Sequence, residues 1–348
     1  MSERDNLLVS IAKTIETYRQ GELAAPTPDH VGRWAEQFTS VNQLAFLREF
    51  NHVIKQTFLS KIKVMNFLNS LSCNEELSGD NPSAYWSQAN FLRIQNQGQS
   101  QKEMVSLFGE CLKMQYGLIL GSCGTSGGDY IYLDDVLFSG NRILTDLSQW
   151  IQNDAPQKAR VHIILIALHT GGHYYINKKL KSTITQSGKN IEIKFWWFHE
   201  LENRKQDRNN SDVLWPAITP NNFDVQAYVN SIVNYPHAPR QPGGKFDFFS
   251  SEAGRQILEQ EFLIAGVKIL SQINNRRPHV RPLGYSFFGL GFGTMIVTYR
   301  NCPNNCPLAM WWGDPNATSG ALHWYPLLSR NTYALQGNVY NDSDDFAF

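Results

Sequence analysis

Residues 130–143, YIYLDDVLFSGNRI, concentrate the residue types that do chemistry. Four strand-forming residues run directly into two carboxylates, Asp134 and Asp135. A short loop follows, ending in Ser139-Gly140, and then Ile143, Leu144, Leu147, Trp150 and Ile151 recur at the spacing of an amphipathic helix. In an open parallel sheet, ligands bind beyond the carboxyl ends of the strands, and the acid pair is expected at such an end. The loop would turn backbone N–H groups inward at a helix N-terminus, where partial positive charge and unpaired donors suit a phosphate. Ser139 adds a hydroxyl donor, and Gly140 lets the backbone come close. Carboxylates repel such an anion, so they must face something else: sugar hydroxyls, a magnesium ion, or positive charge developing on a ribose ring.

Other segments offer further candidates. FLRIQ reads as a strand and is followed by NQGQSQ and a helix, a polar loop that plain capping by Ser100 would explain. The glycine-rich GSCGTSGGD has the composition of a mobile lid and is short for one. ALHTGGHYY brings His169, Gly171, Gly172 and His173 to the same sheet edge, either for base recognition and proton transfer or as satisfied loop histidines. Cys302 and Cys306 lack the second half of a zinc motif.

These residues need a scaffold to hold them. In a chain of 348 residues, 42% hydrophobic, there is enough apolar side chain for a large core and one elaborated domain or two. Leu7, Ile11 and Ile15, and later Leu44, Leu47, Phe50, Ile54 and Phe58, step at helical spacing, giving an N-terminal helical region over 1–78. From 79 to 205 short apolar runs alternate with helical stretches. Strands are expected at Phe91–Gln95, Gly117–Leu120, Tyr130–Leu133, Val161–Ala167 and Ile191–Phe198, and helices at Gln101–Met114, Arg142–Ile151 and Ile176–Ile184. That alternation implies an α/β fold, a Rossmann-like, mostly parallel sheet covered on both faces. Residues 206–348 read as an α+β extension: a turn-rich stretch to about 250, a helix over Ser251–Ser271, a strand over Thr294–Tyr299, and an acidic tail. Trp311, Trp312, Trp324 and Tyr325 are expected to anchor a partner there or to fill a small second core.

Thirty-one basic residues balance thirty-one acidic ones, so no global field draws the chain to nucleic acid or anionic lipid. Without a signal sequence, a membrane-length apolar run or a disulfide framework among its five cysteines, the chain is expected to be cytoplasmic, with no membrane partner.

The segment around Asp134 resembles the phosphoribosyl-diphosphate motif of type I phosphoribosyltransferases: an apolar strand, Asp-Asp, three residues, then Thr or Ser and Gly. The resemblance implies that Asp134 and Asp135 are the catalytic pair at the ribose hydroxyls. It also implies that Leu137, Phe138, Ser139, Gly140 and Asn141 wrap the 5-phosphate, that Mg2+ sits at the acid pair or arrives only with the substrate, and that the loop after FLRIQ holds a pyrophosphate with Gly98, Gln99, Ser100 and Gln101 as donors. Asn141 stands where the family has a small residue, and Arg142 where it has a second Thr. Arg142 either replaces a hydroxyl donor with a charged one or marks a site that has left the ancestral reaction.

VGRWAEQF, VTYRNCPNNCPLAMWW and LHWYPLLSR further resemble bacterial conflict-associated phosphoribosyltransferase-like proteins. That likeness implies an antiviral effector acting on phosphoribosyl diphosphate or a nucleotide, restrained by partners such as a winged-helix protein and a retron reverse transcriptase with its nucleic acid. A homo-oligomer fits the same picture. The alternative is an inactive nucleotide-binding or scaffold subunit of such a complex.

Overall fold

The computed structural model describes residues 1–95 and 99–330. Helices α1 (Glu3–Thr14), α2 (Pro28–Ala35) and α3 (Gln43–Thr57) and the short strand β1 (Phe58–Leu59) come first. Helices α4 (Lys61–Ser72), α5 (Glu75–Ser78) and α6 (Pro82–Gln88) lead into β2 (Asn90–Phe91), α7 (Ser100–Tyr116), β3 (Tyr130–Leu137), α8 (Asn141–Asn153), β4 (Lys158–His169), α9 (Thr170–Ser187) and β5 (Asn190–Leu201). Helices α10 (Phe223–Asn230) and α11 (Glu252–Ser271), strand β6 (Val297–Thr298) and helix α12 (Leu308–Trp311) follow. The chain forms two compact units, one of Lys61–Leu201 and one that joins Met1–Ser60 to the described residues from Glu202 onward. The α/β unit therefore begins at Lys61, before the expected residue 79, and the first three helices share a unit with the C-terminal part.

In the α/β unit, β2, β3, β4 and β5 lie side by side in that order, all parallel. The aliphatic run VHIILIAL in β4 explains this placement, because a parallel strand between neighbours is buried on both faces. Side chains alternate with period two. Tyr132, Val161, Ile163 and Leu165 join Ile143, Leu147 and Ile151 of α8 and Ile176 and Leu180 of α9 in one cluster. The intervening Ile131, Leu133, Ile164 and Ile166 are also buried, so they serve the other face. Helix α7 packs on β3 and α4. At the far end of α8, Lys189 Nζ donates to the Ile151 and Ala155 carbonyls at 2.6 and 2.7 Å, closing that C-terminus with the charge its dipole favours.

Several local expectations change, and the strands expected at Phe91–Gln95 and Thr294–Tyr299 form only at Asn90–Phe91 and Val297–Thr298. No strand forms at Gly117–Leu120: Gly117 ends α7 in a left-handed turn, and Leu120 packs so tightly on Gly109 of α7 that a Cβ there would lie 2.6 Å from it. Strand β3 runs on to Leu137, so the acid pair lies inside the strand, not past its end. Helix α9 begins at Thr170, which makes GGHYY the first turns of a helix instead of a loop.

The other unit is built on aromatic packing. Trp34 lies within 5.5 Å, centroid to centroid, of Phe38, Phe46 and Phe50, with Phe262 of α11 alongside. Trp311, Trp312 and Trp324 are buried with each indole N–H on a backbone carbonyl, and only Tyr325 is half-buried. The tryptophans therefore fill a core and do not present an interface. Cys302 and Cys306 are fully buried in this unit. No group of three or more His, Cys, Asp or Glu side chains among the described residues is placed to hold a metal ion. No helix among them is long and apolar enough to cross a membrane.

Candidate active site

The loop after β3 owes its shape to two glycines and a histidine. Gly140 has φ +82°, a conformation that favours glycine, and a Cβ there would come within 3.2 Å of Ile176. Gly172 in the first turn of α9 sits against the loop so closely that a Cβ would lie 1.9 Å from the Phe138 carbonyl oxygen. His169, the last residue of β4, is fully buried beneath: Nδ1 lies 3.0 Å from the Leu137 carbonyl oxygen and its ring stacks on Phe138 at 5.2 Å. Burial pushes His169 down to about 4, so the ring is neutral and Nδ1–H donates to that carbonyl. His169 is thus a strut for the loop and has no surface on which to meet a base. Leu137 likewise points its side chain into the core and offers the loop only its carbonyl.

The exposed rim of the loop is Ser139, whose Oγ lies 3.5 Å from the Asn141 N–H, with Asn141 and Arg142 half-buried after it. Helix α8 then starts from Gly140 with no side-chain cap. Helices α7 and α9 also start at the carboxyl end of the sheet, and neither has a side-chain cap. Three helix N-termini, each carrying partial positive charge, therefore border the acid pair.

Asp134 is buried and Asp135 half-buried. Burial, then the charge of Asp135, push the Asp134 carboxyl up to about 7. Three groups act against that rise: the Ser100 hydroxyl, the Asp135 N–H at 2.9 Å, and the positive charge of Arg142. Arg142 also favours ionised Asp146, whose Oδ2 accepts the buried Tyr132 hydroxyl at 2.9 Å. Sequence spacing does not bring Tyr132 to Asp146, although it does put Arg142 and Asp146, four apart on α8, on one face.

Of the second candidate segment, Gly98 lies outside the described residues and Gln99 is exposed. Ser100 does reach the acid pair. Its Oγ accepts from Gln95 Nε2 at 3.2 Å and donates to Asp134. Gln101 turns inward as a clamp: its Oε1 accepts the Ile94 and Gln95 N–H groups, both at 2.9 Å, and its Nε2 is buried with no hydrogen-bond partner among the described residues. Gly171 is half-buried in the first turn of α9. The glycine-rich segment expected as a lid is pinned elsewhere. Gly124 and Thr125 donate to the Ser87 and Gln88 carbonyls, and Gly128 abuts Gln88, at the amino end of the sheet and away from Asp134.

A parallel strand bearing Asp-Asp, a tight Ser-Gly loop and an uncapped helix are thus assembled at one sheet end. The PRTase-CE family model matches residues 31–330. The chain belongs to the PRTase-CE family. No curated protein and no solved structure matches it. Membership makes this a chain of phosphoribosyltransferase type, and the match takes in Asp134 through Arg142, Ser100 and Gln101 together. In PRTase-CE terms, the α/β unit carries the acid pair and the loop.

Proposed function

We propose that the chain binds a ribose-5-phosphate compound at the carboxyl end of its sheet and makes or breaks the bond at the anomeric carbon. The observation that carries this reading is the acid pair, with Asp134 raised in pKa first by burial and then by the charge of Asp135, directly before a glycine-shaped loop at an uncapped helix N-terminus. The loop from Phe138 to Asn141 would hold the phosphate through backbone N–H groups, with Ser139 adding a hydroxyl. Asp134 and Asp135 would hold the ribose hydroxyls and favour positive charge as the ring becomes oxocarbenium-like. Two adjacent carboxylates without a third protein ligand suit a magnesium ion that arrives on the diphosphate; it would neutralise the leaving group's charge. Arg142 would stand between phosphate and acids, a charged donor where a hydroxyl is usual.

Incubation with phosphoribosyl diphosphate or nucleotides and magnesium tests the reading, with release of pyrophosphate or free base expected. Titration calorimetry with a ribose-5-phosphate ligand adds the role of Arg142: Arg142→Ala should weaken binding by ~1.5 to 3 kcal/mol, the range for hydrogen bonds to charged groups. A wild-type chain that binds no such ligand with magnesium present defeats the proposal. A second reading, a nucleotide-binding subunit without turnover, is favoured by the glycine segment being pinned at the opposite end of the sheet, where it cannot serve as a lid. Binding without product would select it. In either case the sequence resemblance supports a setting in antiviral defence, with a winged-helix protein or retron partner restraining the chain.

A further inference from the structure

Strand β5 is twelve residues long and forms the end of the sheet, with β4 as its neighbour on one side and no strand on the other among the described residues. Edges of this kind template pairing with another chain unless proline, bulges or charges blunt them. β5 has no proline, and its middle is Phe195-Trp196-Trp197-Phe198. Trp197 is 38% exposed and Phe198 46%, and Tyr174 on the adjoining α9 is 66% exposed. Asn190 N–H donates to the Gln157 carbonyl, so even-numbered residues turn their backbone groups toward β4 and the odd-numbered ones, Trp197 among them, turn theirs outward.

From this edge we propose that β5 pairs antiparallel with β5 of a second copy of the chain about a two-fold axis at Trp197. In that register the sequence is self-complementary. Trp197 faces its own copy and exchanges both backbone hydrogen bonds with it. Trp196 meets Phe198, Phe195 meets His199, and at each end Lys194 meets Glu200. Directly opposed residues share a sheet face, so each pair is in reach. Glu200 is exposed and the Lys194 side chain is 42% exposed, with Glu192 only at 4.0 Å, which leaves both charges available for the second copy. The result is one continuous eight-stranded sheet, its exposed aromatic edge covered. The pairing does not depend on the reaction proposed above.

Sedimentation velocity of the full chain over a dilution series tests the pairing, and a dimer is expected. Lys194→Glu alone, or Glu200→Lys alone, sets like charges opposite each other at both ends and should raise the dissociation constant about tenfold. The doubly exchanged chain, K194E with E200K, restores opposite charges at both ends and should dimerise like the wild type. Both side chains reach solvent, so melting temperatures taken at concentrations where every chain is monomeric should stay unchanged, and a folding defect would show itself separately. A monomeric wild type, a dimer indifferent to the single exchanges, or a double exchange that fails to recover would each overturn the proposal.

Discussion

Two aspartates mark the two ends of β3, and their surroundings are opposite. Asp129, just before the strand, has its charge matched on every side. Tyr85 donates at 3.0 Å, Arg160 Nε lies 3.0 Å from both carboxylate oxygens, and His162 Nε2 lies 3.1 Å away, with Trp196 Nε1 donating at 2.9 Å to the other ring nitrogen. Asp134, near the far end, is more deeply buried and faces another carboxylate. One end of the sheet is a closed polar clamp. At the other end an acid stays poorly compensated, which is where an arriving ligand has electrostatic work to find. The same residue type thus holds the fold just before the strand and stays poorly compensated further along it.

Removing each acid should break that symmetry in opposite directions. Asp129→Ala strands the buried His162 and the Tyr85 hydroxyl, and leaving buried polar groups without their partner costs about 1 to 3 kcal/mol. Scanning calorimetry should show a melting temperature lower by several degrees, and an unchanged one would demote the clamp to decoration. Asp134→Asn should do the reverse. The folded carboxyl titrates near 7, above its unfolded range. Its stabilising contribution is complete below the unfolded pKa and is lost as pH rises through the folded one. The substitution should therefore be almost neutral at about pH 4, and stabilising by roughly 2 to 4 kcal/mol at about pH 8, while ribose-5-phosphate chemistry is lost. Urea titrations at both pH values measure it. A variant less stable at high pH would mean that Asp134 is a structural residue like Asp129.

How much of this contrast the sequence announced depends on whether the cause is local. The β4 strand, α8 and the Ser-Gly loop are legible because an aliphatic run, a helical stripe and a positive-φ glycine each follow from neighbouring residues. The function of Asp129 is not legible, because its partners come from Tyr85, Arg160, His162 and Trp196, far apart in the chain and brought together by strand register. His169 misled for the same reason: a histidine beside two glycines reads as a loop residue until α9 is seen to begin at Thr170. The fate of GSCGTSGGD was hidden in the backbone, since its glycines are required by contact with Gln88, not by mobility. The C-terminal tryptophans suit an interface and a core alike in the sequence, because burial against the N-terminal helices is invisible to periodicity within either segment.

The finest test of the contrast lies at Ser100, where the poorly compensated end receives one of its few supports. Its hydroxyl donates to Asp134 and is itself held by Gln95. Such a bond favours the ionised carboxylate, so its loss acts only in the pH range where Asp134 sheds its proton. In Ser100→Ala the carboxyl should titrate higher still. Below about pH 5 the acid is protonated in either protein and the two chains should melt together. As pH climbs past 7 the variant should fall behind by about 1 kcal/mol, the scale of one hydrogen bond net of solvent. A loss of equal size at every pH would say that the Ser100 hydroxyl serves only its bond with Gln95 and does nothing for the acid. A loss that grows with pH, and disappears when Asp134→Asn is combined with it, ties the hydroxyl to the acid. The double-mutant cycle separates the two, because coupling energy survives only between groups that touch.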